Sequence, residues 1–273
     1  MNWINAGGVD WHVEWHGHRE NNLLVMVHGF AGSLRTWQKL VPELTRHFRL
    51  MLIDLPGHGD TPLPDAPKFS LRDLWEAFGK LLLETCSEPP LVCGYSMGGR
   101  IALQYGVHAA NLLRGLILIG ASPGIANEHE REQRRLNDHH LAENILTKGT
   151  EWFADYWAEL PLFATQKYLL DSVQAELRRT RLACDPRGLA YALERFGTGN
   201  QEFLGDQLRK LRCPLLLMAG ELDSKFCASN RYIAASSSSV NVHRLEIPEA
   251  GHAVHIEQPA AVVREIITFS EII

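Results

Sequence analysis

Several protein classes are excluded by what this chain does not contain. Its five cysteines, Cys86, Cys93, Cys184, Cys213 and Cys227, are odd in number and scattered through 273 residues, which suits neither a disulfide framework nor a zinc module. Thiols kept reduced point to a cytoplasmic protein. No block of lysine and arginine interleaves with aromatics, and the net charge is −5, so no nucleic-acid partner is expected. No apolar run approaches membrane-spanning length, and residues 1–22 lack the basic start and apolar core of a signal peptide. No membrane association is expected. Metal ligands in sets are missing too: His139-His140 and His12/His16 have no acidic or cysteine companions at ligand spacing. Neither a metal nor a cofactor is implied. No internal repeat is found, and the serine run 236–239 is a short polar loop.

What is present is a globular chain, 45% hydrophobic and 22% charged, long enough for one large domain, or a domain plus an insertion, with a buried cleft. Short β-branched runs alternate with amphipathic helical stretches, the pattern of a mostly parallel central sheet with helices on both faces. Residues 23–27, 50–53, 91–93, 116–119, 215–218 and 240–247 read as strands, with 9–15 as an early antiparallel edge. Helices are predicted over 37–46, 71–85, 97–108 and 260–269. Between Pro123 and Lys210 the strands stop, and helical patterns run over 128–146, 151–160, 172–183 and 189–195. The expected organisation is therefore a core in two parts, 1–122 and 211–273, with an all-helical cap, 123–210, inserted between consecutive strands.

The chemistry is carried by Gly94-Tyr95-Ser96-Met97-Gly98, set between an apolar strand and a helix. This is the sequence form of a nucleophile elbow, a turn too sharp for a Cβ at the two flanking positions. It isolates the Ser96 hydroxyl at a helix N-terminus, where backbone N–H groups stabilise developing negative charge. His28-Gly29-Phe30 follows a strand in the same way. The Phe30 and Met97 amides are the expected oxyanion hole, and the His28 side chain is read as structural. The base must follow Ser96 if the order is Ser, Asp, His. His252, in a loop after the last strand, has the right place, whereas His255 falls in the next helix. Asp223 is the expected orienting acid, ahead of Glu221 and Asp206. Asp54 and His58 are read as turn residues, and Cys93 as a core thiol.

Arginines set this site apart from that of a plain esterase. Arg100 lies four residues after Ser96 and so projects from the same helix face, where a guanidinium suffers desolvation unless an anion is expected. The cap adds Arg131, Arg134, Arg135, Arg178, Arg179 and Arg181. Convergence of such groups implies a small carboxylate-rich substrate.

Gly94-Tyr95-Ser96-Met97-Gly98-Gly99-Arg100, Gly120-Ala121-Ser122-Pro123-Gly124 and Leu160-Pro161-Leu162-Phe163 together resemble one branch of the α/β-hydrolase superfamily. So do Gly188-Leu189-Ala190, Gly197-Thr198-Gly199 and Asp223-Ser224-Lys225-Phe226. The branch is that of the 2-succinyl-6-hydroxy-2,4-cyclohexadiene-1-carboxylate synthases of menaquinone biosynthesis, and the similarity runs from about Leu23 to the C-terminus. It implies a 2,5-elimination of pyruvate from a succinyl-enolpyruvyl cyclohexene dicarboxylate. By that match Ser96, His252 and Asp223 form a triad in which serine abstracts a proton. Arg100, Arg134 and Arg181 would bind carboxylates, Tyr95 would face the anionic intermediate, and Trp157 would wall the pocket. The alternatives are a serine hydrolase for an acidic substrate and a binding protein that has lost its chemistry. Oligomeric state is not legible.

Overall fold

Strand residues in this chain alternate between two separate hydrophobic cores. The computed structural model describes residues 2–66 and 68–273. In chain order the strands are β1 (Trp3–Ala6), β2 (Val9–His16), β3 (Leu23–Val27), β4 (Arg49–Ile53), β5 (Leu91–Tyr95), β6 (Gly115–Ile119), β7 (Leu215–Gly220) and β8 (Val242–Ile247). They form one sheet in the order β1-β2-β4-β3-β5-β6-β7-β8. Every pairing from β4 to β8 is parallel, and β1 and β2 join antiparallel at one side.

Val25, Val27, Val92, Leu116, Leu118, Leu215 and Leu217 face one core, whereas Leu24, Met26, Leu91, Cys93, Ile117, Leu216 and Met218 face the other. Period-two alternation in strands buried on both faces produces this division. Helices α2 (Leu71–Thr85) and α3 (Met97–His108) close the first core, and α9 (Pro259–Glu271) closes the second. β8 is the exposed edge, and His243, Arg244 and Glu246 make it a poor template for another strand.

Several predicted elements need correction. The antiparallel edge is β1, not β2, because Trp3–Ala6 pairs outside Val9–His16. The helix expected over 37–46 is a 3-10 turn, Leu34–Trp37, and a single α turn, α1 (Val41–Leu44). Pro42 sits at the first turn of α1, where a missing N–H does no harm but from which no helix extends backwards. The last strand begins at Val242, leaving Val240 fully exposed.

Between β6 and β7 lie α4 (Glu128–Ala158), α5 (Asp171–Leu182) and α6 (Pro186–Phe196), with 3-10 turns between them. The helices predicted over 128–146 and 151–160 are the two arms of α4, separated by Gly149 at φ 78° and ψ −178°. Asn127 caps α4 by accepting from the Glu130 N–H, and Asp185 caps α6 by accepting from that of Arg187. A small apolar cluster, including Ile145, Phe153, Leu189 and Leu193, holds these helices together over Ala31. Gly188 touches Gly57 so closely that a Cβ on it would lie 2.0 Å from the Gly57 carbonyl oxygen, which fixes α6 against the loop after β4.

Candidate active site

The elbow is built by sterics. Ser96 is held at φ 49° and ψ −107°, a conformation rare for a residue with a side chain. A Cβ on Gly94 would lie 2.6 Å from the Gly98 carbonyl oxygen, and one on Gly98 would lie 2.3 Å from that of Val27. The strand and helix therefore approach as closely as backbones can. The Ser96 N–H donates to the Ile119 carbonyl at 2.8 Å, tying the turn to β6.

His252 and Asp223 converge on that serine from the ends of neighbouring strands. Asp223 caps α7 (Ser224–Ser236) directly after β7, and His252 lies after β8, just before α8 (Val254–Glu257). His252 Nε2 is 3.0 Å from Ser96 Oγ, and His252 Nδ1 is 2.8 Å from Asp223 Oδ2. Both side chains are buried, while Glu221 and Asp206 lie outside the pair. With Nδ1–H donating to the carboxylate, Nε2 carries the lone pair that can accept the serine proton. His255 packs against Tyr95 instead, with ring centroids 4.2 Å apart and the planes tilted by 55°, and burial lowers its pKa to about 3, so it is a neutral packing group.

Gly29 approaches the elbow so closely that a Cβ would meet the Tyr95 ring at 2.8 Å. This brings the segment carrying the Phe30 amide beside Ser96, as the oxyanion reading requires. The turn below is held by buried polar groups. The Leu55 N–H donates to His28 Nε2 at 3.0 Å, and His28 Nδ1 faces the Gly29 carbonyl at 2.7 Å. Asp54 accepts from the Leu34 and Asp60 N–H groups and faces His12 Nδ1 at 2.9 Å. The premise that His12 lacks acidic companions is corrected here, since folding brings Asp54 and Asp60 beside it. His139 likewise gains Glu143 and Glu194. Sequence spacing could not reveal Asp54, Asp60 and Glu194, which lie far along the chain from the histidines they meet, whereas Glu143 lies one helical turn from His139.

A single chamber is lined by Ser96, His252, Phe30, Tyr95, Met97, Arg100, Arg134 and Trp157. Nine of the ten residues singled out from sequence therefore meet: these eight, with Asp223 behind His252. Arg181 does not join them. Its guanidinium lies 5.9 Å from the centroid of the Phe163 ring and donates to Gln166 Oε1 at 2.7 Å, lining an adjoining cavity that shares Phe30, Tyr95, Trp157 and Phe163 with the first. The aromatic partition is continuous, with Trp157 5.1 Å from Phe30 and 5.6 Å from Phe163. Position on α5 places Arg181 in that adjoining cavity rather than in the chamber of Ser96 and His252.

Arg100 is 8% exposed, and among the described residues its guanidinium makes one hydrogen bond, to Gln201 Oε1 at 3.3 Å. Burial, reinforced by the nearby Arg134, lowers its pKa to about 10, so it remains a cation in a poorly solvated place. Lys225, in the first turn of α7, also lines the chamber; burial and Arg134 push its pKa down. Sequence reasoning quoted this lysine within a motif but gave it no role. Its position two residues after Asp223 was the available signal. Gln201 was missed as well, and it braces Arg100 while donating to the Ser122 carbonyl at 3.2 Å.

A serine elbow joined through histidine to an acid, at the strand ends of a parallel sheet and beneath a helical insertion, defines an α/β-hydrolase. A family model described as alpha/beta hydrolase fold matches residues 22–259 accordingly. A Salmonella heidelberg (strain SL476) protein named 2-succinyl-6-hydroxy-2,4-cyclohexadiene-1-carboxylate synthase is 34% identical over 245 residues, covering 88% of this chain and 90% of that one. A Bacillus subtilis (strain 168) protein, named provisionally as the same synthase, is 36% identical over 272 residues and 96% of both chains. The solved structure of MenH from S. aureus superposes with a TM-score of 0.91 at 31% identity, covering 95% of this chain and 98% of that one. The chain belongs to this synthase family. No described helix is long and apolar enough to cross a membrane.

Proposed function

We propose that this protein is a carbon–oxygen lyase that eliminates pyruvate from 2-succinyl-5-enolpyruvyl-6-hydroxy-3-cyclohexene-1-carboxylate. The product is 2-succinyl-6-hydroxy-2,4-cyclohexadiene-1-carboxylate, an intermediate of menaquinone biosynthesis. The observation that carries the reading is the pair Arg100 and Arg134 in the same chamber as Ser96 and His252, with no acid hydrogen-bonded to Arg100 among the described residues. A desolvated guanidinium, that of Arg100, and a half-buried one, that of Arg134, facing the same serine suit a substrate with several carboxylates and disfavour a neutral ester.

In this reading His252 takes the Ser96 proton while Asp223 steadies the resulting imidazolium. The Ser96 alkoxide removes the ring proton next to the succinyl ketone. Electrons move through the ring alkene, a second double bond forms, and the carbon–oxygen bond to enolpyruvate breaks. The proton held by His252 goes to the leaving group, which becomes pyruvate, and Ser96 keeps the substrate proton until it exchanges with solvent. The Phe30 and Met97 amides, together with Tyr95, face the enolate oxygen that develops. Burial and the acids Glu257 and Asp223 raise the Tyr95 pKa, so its hydroxyl stays a donor throughout.

The test compares pyruvate release from the cyclohexene precursor with hydrolysis of p-nitrophenyl esters by the same preparation. The lyase reading expects the first to exceed the second by orders of magnitude in kcat/KM, with no acyl–Ser96 adduct during turnover. Efficient ester cleavage without pyruvate release would assign the site to a serine hydrolase.

A further inference from the structure

Most arginines of the cap are paired with carboxylates in solvent. Arg131, Arg135 and Arg178 meet Glu128, Glu132 and Asp155, whose side chains are 82%, 51% and 70% exposed. Arg134 differs. Its partner Asp138, one turn further along α4, has a side chain only 7% exposed. Asp138 Oδ1 accepts from Arg134 Nε at 2.8 Å, and Oδ2 is buried with no hydrogen-bond partner among the described residues. Gly197, which lines the triad chamber, leaves room for that oxygen: a Cβ there would come within 2.5 Å of Oδ2.

A carboxylate that takes only the Nε–H of a guanidinium leaves the two Nη groups, and their paired geometry, for another acid. Arg134 makes no other hydrogen bond among the described residues, and it lines the chamber. Arg100 stands close enough to Arg134 for the two cations to repel, and Asp138 acts on both with the opposite sign. Leaving a buried carboxylate oxygen unpaired is costly unless the arrangement serves something else.

We propose that Asp138 is the positioning residue for Arg134: it fixes the guanidinium through Nε, offsets its repulsion with Arg100, and so presents the Nη edge as a seat for one substrate carboxylate. This rests on the lyase reading given above. Its test is a double-mutant cycle of Arg134→Ala and Asp138→Ala, with Asp138→Asn as the conservative variant, followed by pyruvate release. Asp138→Ala is expected to raise KM about tenfold while kcat changes less than about threefold. Asp138→Asn keeps an acceptor for Nε and should recover most of the loss. The double variant should be no worse than Arg134→Ala alone. Additive losses, or an unchanged KM in a folded Asp138→Ala, overturn the proposal while leaving the lyase reading intact. If Asp138→Ala does not fold, Asp138→Leu, which fills the site but offers Nε no acceptor, takes its place in the same cycle and is read by the same additivity. Should Arg134→Ala itself leave KM unchanged, the polyanion reading fails and the role of Asp138 falls with it.

Discussion

Replacing Arg100 by methionine should make this protein more stable and much less active. Its guanidinium has a pKa of about 10 in the fold, against 12.5 for the free side chain, chiefly because of burial. A depressed pKa on a cation means that the charged form is disfavoured by folding. The penalty is complete at neutral pH and is relieved only as pH rises through 10. At about 1.4 kcal/mol per unit it amounts to about 3 kcal/mol. Methionine keeps the apolar stem and removes the charge, but forfeits the hydrogen bond to Gln201, worth about 1 kcal/mol. The net gain of about 2 kcal/mol corresponds to a rise in Tm of roughly 4–8 °C. Against this, a charge-assisted bond to a substrate carboxylate contributes about 1.5–3 kcal/mol, so kcat/KM should fall ten- to a hundredfold, each factor of ten being about 1.4 kcal/mol. Calorimetry at pH 7 and pyruvate release on the same sample read both quantities. A lower Tm with unchanged kinetics would refute the idea that this cation is held for an anion.

Ser96→Ala and His252→Ala should each abolish nearly all pyruvate release, and the double variant should lose little more, since the two act as a unit; multiplicative losses would argue against it. Lys225→Met should raise KM about tenfold with a smaller change in kcat, and Lys225→Arg should restore it, as measured by initial rates. Burial depresses the pKa of both His255 and His58 to about 3, so each contributes stability that is complete above pH 6.5 and lost as pH falls towards 3. Urea unfolding should therefore show a loss of about 2 kcal/mol for each of these two histidines between pH 6.5 and 5, and His255→Phe should remove the share that belongs to His255. Gly98→Ala should yield insoluble or unfolded protein, because the new methyl would meet the carbonyls of Val27 and His28; soluble, active protein would contradict the close approach.

Much of this architecture was legible along the chain because its signals are local. The boundaries of α2 and α3 follow from amphipathic spacing and, for α2, from the Ser70–Asp73 capping box. The elbow could be read because close approach of backbones demands glycine at fixed distances from Ser96. His252 and Asp223 were found by chain order and by their place after strands. What could not be read depends on contacts made across the fold. β1 is only four residues long, too short for an alternating pattern to announce it, and Trp3 is half exposed there. Arg134 and Arg181 look equivalent in sequence, yet only the first faces the serine, because Phe163 and Trp157 stand between Arg181 and the chamber. Asp138, Gln201 and Lys225 are ordinary polar residues until tertiary structure sets them against a guanidinium or a cavity.

The interruption at Gly149 divides one long cap element into two arms with independent rotational phase. Arg134 rides on the first arm and Trp157 on the second. Because the i to i+4 register does not carry across the break, a repacking that turns the tryptophan leaves the bearing of the arginine unchanged. Charge reading and shape reading of the ligand are thereby uncoupled, and descendants of this chain can resize the aromatic wall without re-aiming the cation.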